Sequence, residues 1–121
     1  MQLQLNHVPA GRAASSAGTL AALVDAHLSE RKLLDDLVGI MQRQRSAVAA
    51  DDLQGVDDSV FATHRILVTL GEARRRRRTL NTMVAGSEEV ASQDLADAFG
   101  GHVPVALQEA REALRASAAA L

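Results

Sequence analysis

The sequence predicts an all-α fold: a long antiparallel helical hairpin, coiled-coil-like, with one or two shorter C-terminal helices in a helical bundle. The 121 residues are rich in strong helix formers, and aromatic residues, which strands favour, make up only 2%. Apolar residues recur at three- and four-residue spacing over two long segments. Because only a few residues link these segments, the two helices must run antiparallel as neighbours.

The first predicted helix covers residues 19–49 and follows a flexible segment over residues 1–18, which contains Pro9 and two glycines. Thr19 is a candidate N-cap. The apolar stripe of this helix comprises Leu20, Leu23, Val24, Leu34, Leu37, Val38, Met41 and Val48. A stripe of this width indicates burial against more than one partner.

The second predicted helix covers residues 52–85. Asp51 or Asp52 can cap its N-terminus, and Gly86 suits the position that follows its last residue. Its predicted apolar stripe comprises Leu53, Val56, Val60, Leu67, Leu70, Ala73, Leu80 and Val84.

Antiparallel pairing of the two stripes predicts which residues meet across the hairpin. It places Leu34 near Leu67 and Met41 near Val60. If both leucines are buried, truncating either one to alanine costs about 2–5 kcal/mol of stability, whereas the same change at Arg75 is nearly neutral.

Two shorter helices are predicted after the hairpin. Ser87, followed by two glutamates, indicates the start of a third helix, and Pro104 can begin a fourth at its first turn. We therefore expect a single helical domain over residues 19–121, with the hairpin over 19–85 and the C-terminal helices over 87–121.

Nothing in the sequence predicts catalysis, a cofactor or a metal site. Cysteine is absent, the four histidines are scattered, and no Glu-x-x-His pair is present. His64 invites comparison with phosphotransfer domains, but the run His64-Arg65-Ile66-Leu67 lacks the lysine that such domains usually carry. We expect His64 to be a half-buried structural residue that faces the Leu37 region.

Charge and hydropathy exclude further classes of function. The formal net charge of −2 gives no global attraction to nucleic acid or anionic membranes. The run Arg74–Arg78 points around its helix, so we interpret it as a solvated basic end, with the stem of Arg77 along the core and Glu72 paired with Arg76. No apolar stretch approaches the ~20 residues that a membrane span needs, and no signal peptide is evident.

Three features within residues 20–85 form a recognisable pattern. They are Leu33-Leu34-x-x-Leu37, the link Ala47-Val48-Ala49-Ala50-Asp51-Asp52-Leu53, and His64-x-x-Leu67-x-x-Leu70-Gly71-Glu72-Ala73-Arg74-Arg75. This pattern resembles the FlgN family of flagellar export chaperones. The resemblance implies a cytoplasmic, non-enzymatic protein that binds hook-filament junction proteins through their C-terminal helices and prevents premature assembly.

The C-terminal helices are the predicted partner-binding segment. They carry too little apolar bulk to build a core of their own, and the resemblance points to the same end of the chain. The residues assigned to partner binding are Leu95, Phe99, Val103, Leu107, Ala110, Leu114 and Leu121. Three alternatives stay open: a phosphotransfer-like signalling bundle, a structural coiled coil that forms a homo-oligomer, and an arginine-dependent nucleic-acid binder.

Overall fold

A computed structural model describes the backbone of residues 3–121 and the side chains of residues 17–121. Over that part the chain forms four helices and no strand: α1 (Leu3–Ala49), α2 (Leu53–Ala85), α3 (Ser92–Ala98) and α4 (Val105–Ala119). α1 and α2 pack along each other as an antiparallel pair. The predicted all-α hairpin with shorter C-terminal helices is therefore confirmed.

α1 is longer at its N-terminus than the sequence predicts. It begins at Leu3, so Thr19 lies inside the helix and is not its N-cap. The flexible segment expected over residues 1–18 falls mostly outside the residues whose side chains are described.

The turn between α1 and α2 depends on a specific cap. The Oδ1 atom of Asp52 accepts a hydrogen bond from the backbone N–H of Gly55 at 2.9 Å, which satisfies a free donor at the start of α2. A Cβ atom on residue 55 would collide with the Asp52 carboxylate, so the cap requires glycine there. Gly86, with φ 79°, ends α2 in the left-handed conformation, as predicted.

The register of the hairpin agrees with the prediction, and the buried face of α2 agrees with it in part. Asp25 of α1 forms an ion pair with Arg76 of α2. Because the helices are antiparallel, Leu34, nine residues after Asp25, is level with Leu67, nine residues before Arg76. Leu34 is 1% exposed, whereas Leu67 is 51% exposed. Five residues of the predicted stripe are at least partly buried: Val56, Leu70, Ala73, Leu80 and Val84. The same side of α2 also carries Ser59, Thr63, Ile66, Arg77 and Asn81.

Polar residues on the buried face of α2 explain why the predicted stripe was only partly right. The hydroxyl of Ser59 donates a hydrogen bond to the backbone carbonyl oxygen of Val56 at 2.7 Å. The side-chain amide of Asn81 donates one to the backbone carbonyl oxygen of Glu88 at 2.8 Å. Because these groups are satisfied locally, they can occupy the interface. Three predicted core residues lie on the neighbouring face of α2 and remain exposed: Leu53, Val60 and Leu67.

The C-terminal helices cover the open end of the hairpin. α3 begins at Ser92 and not at Ser87, whose hydroxyl donates to the carbonyl oxygen of Glu89. The core of this end is a cluster of three fully buried leucines, Leu23, Leu95 and Leu107. Partly buried residues packed against it are Leu20, Val24, Leu80, Val84, Val90, Phe99 and Val103.

α4 lies along α1 and runs in the same direction. Leu107 packs with Leu23, and eleven residues further on Ala118 lines a cavity together with Leu34. The backbones of α2 and α4 nowhere approach within 8 Å of each other. α1 therefore holds α2 and α4 on different sides and leaves a cavity between them.

Candidate protein-binding site

The residues predicted to bind a partner lie mostly within the core of the chain itself. Three are fully buried: Leu95, Leu107 and Ala110. Three are half-buried, namely Phe99, Val103 and Leu114, and Leu121 is about half exposed. The structure thus brings six of the seven together as packing residues, and their use by a partner stays a prediction that requires α4 to leave α1.

Exposed apolar side chains gather in the half of the hairpin next to its turn, from the level at which α4 ends. They are between 51% and 79% exposed and are referred to below as the tip patch: Val48, Leu53, Val60, Phe61, Leu67 and Val68. Large apolar side chains exposed in one region of a small protein indicate an interaction site. In the sequence, the tip patch is indicated by the seven-residue spacing of Leu53, Val60 and Leu67, the same spacing that predicts a buried stripe.

The tip patch continues the groove that α4 occupies. On α1, Met41 follows Leu34 by seven residues, and on α2, Leu67 and Val60 precede Arg74 by seven and fourteen residues. Residues seven apart share one helix face. Because Leu34 and Arg74 line the cavity beside α4, we infer that the two faces that flank α4 extend past its end as a groove lined by Met41, Val60 and Leu67, of which Val60 and Leu67 are exposed.

The uncovered part of the groove is long enough for another helix. α1 continues for about 15 residues from the level of Leu34, where Ala118 lies, to its end at Ala49. At 1.5 Å per residue this is about 22 Å, or about four helical turns. A wider cavity of about 760 Å³ also lies near the turn, but Ile40 is the one large apolar side chain among its described lining residues.

His64 belongs to the exposed face of the tip. It follows Val60 by four residues and is exposed, so the prediction of a half-buried histidine facing Leu37 was wrong. The cause is the same one-face error that exposed Leu67, since the assignment of His64 rested on the same stripe.

Glu30 is a buried acid at the interface of α1 and α2, and sequence reasoning missed it. Its carboxylate accepts a hydrogen bond from Nε of Arg77 at 2.7 Å and lies 3.6 Å from Nε of Arg74. Glu30 is 4% and the Arg77 side chain 14% exposed. The glutamate is therefore held by two arginines of the Arg74–Arg78 run.

The rest of the arginine run also pairs with other elements. Glu89, in the segment before α3, lies 3.8 Å from Arg77 and 3.4 Å from Arg78. Arg76 pairs with Asp25 of α1 at 2.9 Å, in place of the predicted pair with Glu72. The run thus connects α1, α2 and the segment before α3, and is not simply a solvated helix end.

His27 is a buried histidine one turn before Glu30. Its Nδ1 donates a hydrogen bond to the carbonyl oxygen of Leu23 at 2.8 Å. Burial lowers the pKa of His27 below its usual value of 6.5; the bond to Leu23 opposes this shift, and the positive charges of Arg77 and Arg111 add to it.

We expect the stability of the protein to fall between pH 7.5 and 5.5, and this fall to be smaller in the His27→Gln variant. In the unfolded chain His27 binds a proton near pH 6.5, whereas the folded chain binds it only at lower pH, so protons favour unfolding below 6.5. Urea unfolding of both proteins at pH 7.5, 6.5 and 5.5 measures the two slopes. Parallel slopes would contradict the assignment.

Other classes of site find no support in the described residues. Among residues 17–121 no group of three or more histidine, aspartate or glutamate side chains is placed to hold a metal ion. In the same part of the chain no helix combines the length and hydropathy needed to cross a membrane.

Comparisons with known proteins identified no relative of this chain. No family model, no curated protein and no solved structure matches this chain.

Proposed function

We propose that this protein is a helix-binding chaperone that captures an amphipathic helix of a partner in the groove at the tip of its hairpin. It acts by stoichiometric binding, without turnover or cofactor. The observation that supports the proposal is the tip patch, an apolar surface that continues the groove of α4. Helix-in-groove recognition is a recurring mode of protein binding.

α4 shows what kind of ligand the groove accepts. It is an amphipathic helix whose buried side consists of Leu107, Ala110 and Ser117, and its other positions are largely polar or charged. An incoming helix with a similar apolar stripe would bury Val60 and Leu67 in the same manner. Leu121, at the end of α4, would lie beside the end of that helix.

The resemblance to FlgN chaperones suggests the partner and the setting. We propose that the bound helix is the C-terminal helix of a hook-filament junction protein, held in the cytoplasm before export. Burial in the groove would hide the apolar face through which such a helix otherwise assembles. The residues that the sequence analysis assigned to partner binding, between Leu95 and Leu121, would then pack on the hairpin at the end of the groove opposite to the tip and keep that groove in place.

The Val60→Ser and Leu67→Ser double variant should bind the partner helix at least ten times more weakly, a loss of about 1.4 kcal/mol or more. Both side chains are more than half exposed, so the fold should survive. The matched control is the Met83→Ser and Val105→Ser double variant, because these residues are also more than half exposed but lie outside the tip patch. Fluorescence anisotropy with a labelled junction-protein C-terminal peptide measures the affinity.

The outcomes of this experiment separate the proposal from its alternatives. Equal affinity of the two double variants for the peptide would show that the tip patch is not part of the binding site. If no junction peptide binds, and the wild-type protein forms a dimer that the tip variant does not, the patch serves a structural coiled coil. Phosphate incorporation that is lost in His64→Gln would instead indicate a signalling bundle, for which an exposed imidazole is required.

A further inference from the structure

The cavity between α2 and α4 is strongly positive. It measures about 420 Å³, within the usual range for small-ligand sites. Five arginines line it, against two carboxylates, Glu30 and Glu89, which leaves an excess of three positive charges. The arginines are Arg74, Arg77, Arg78, Arg111 and Arg115.

The two arginines of α4 have no carboxylate partner among the described residues. Arg111 donates to the carbonyl oxygen of Val90 at 3.0 Å and lies 3.5 Å from the hydroxyl of Ser92, and both acceptors are neutral. Burial lowers the pKa of Arg111, and the positive charges of Arg115 and Arg77 lower it further. Arg111 is partly buried and Arg115 is exposed, so an anion that enters from the solvent side of the cavity would offset a positive charge that no carboxylate of the described residues balances.

The geometry of the helices gives such an anion a place. The backbones of α2 and α4 stay more than 8 Å apart in the described residues, and the cavity lies between them. An anion in the cavity would bridge the guanidinium groups of both helices. Guanidinium groups bind phosphate through paired N–H donors, which makes arginine the usual residue for this task.

We propose that this cavity binds a small ligand that carries two phosphate groups. A single phosphate monoester carries about −1.5 to −2 charges at pH 7, so two are needed to balance an excess of three. No phenylalanine, tyrosine or tryptophan lines the cavity, and its one aromatic ring, that of His27, is buried, so recognition would rest on the phosphates and not on a stacked base. This proposal is independent of the tip patch and of any protein partner.

Thermal unfolding with and without pyrophosphate tests the proposal. At saturating pyrophosphate the melting temperature of the wild-type protein should rise by about 5 °C, compared with sodium chloride of equal ionic strength, because a ligand that binds only the folded state stabilises it. Arg115→Glu should abolish this rise. The same variant should melt higher than the wild type without ligand, since the new carboxylate supplies the missing negative charge beside Arg111.

Arg75→Glu is the matched control. It makes the same change of charge at an exposed arginine that does not line the cavity, so it should keep the response to pyrophosphate. Loss of the response in both variants would show that only general electrostatics is at work and would overturn the proposal. No rise in the wild type, or a rise with hexaglutamate but not with pyrophosphate, would overturn it as well.

Discussion

The Glu30→Ala variant should lose about 3–5 kcal/mol of its free energy of unfolding, the largest effect expected of any charged residue within residues 17–121. Glu30 is buried and accepts a hydrogen bond from Arg77, which is itself largely buried. Removing Glu30 leaves Arg77 with only the exposed and more distant Glu89, at 3.8 Å, to offset its largely buried charge. Small domains are stable by about 5–15 kcal/mol, so this loss is a large share of the total.

Urea denaturation at pH 7 measures this effect, and Asp25→Ala is its control. Asp25 forms an ion pair with Arg76 at the similar distance of 2.9 Å, but both side chains are about half exposed or more. Exposed pairs contribute at most about 1 kcal/mol, so Asp25→Ala should be nearly neutral. Similar losses in the two variants would mean that burial does not distinguish the two pairs.

Leu34→Ala should cost about 2–5 kcal/mol of stability, whereas Leu67→Ala should cost well under 1 kcal/mol. The two leucines are level with each other in the hairpin, but Leu34 is covered by α4 and Leu67 is half exposed. This asymmetry replaces the equal costs that the sequence predicted.

The comparison is made by urea unfolding of both leucine variants, with Arg75→Ala as a third protein. Arg75 is exposed and forms no ion pair with a described residue, so its truncation should change stability by only a few tenths of a kcal/mol. A loss of stability at Leu67 as large as that at Leu34 would show that Leu67 is buried, as the sequence predicted, and would contradict its assignment to the tip patch.

The architecture was predictable because local signals determine it. Helical periodicity over two long segments, the cap at Asp52 and the stop at Gly86 depend only on residues close in sequence. The short link then forces the two helices to be antiparallel neighbours. The start of α3 was harder to predict, because Ser87 forms a turn that resembles a helix cap.

The buried face of α2 was only partly predictable from apolar periodicity. α2 carries two neighbouring apolar faces: Leu53, Val60 and Leu67 on one of them are exposed, whereas the buried one also contains Ser59, Arg77 and Asn81. The partner of Arg77 is Glu30, which lies 47 residues earlier in the chain. A polar residue becomes acceptable in an interface only through such partners, and spacing along one helix does not reveal them.

The shared direction of α1 and α4 fixes the polarity of a helix bound at the tip. The C-terminus of α4 points toward the tip patch, and its last turn contains no basic residue. The partial negative charge of the helix dipole at that end is therefore not offset. A partner helix placed end to end with α4 meets this charge best with its own N-terminus, so its chain would run toward the turn that joins α1 and α2.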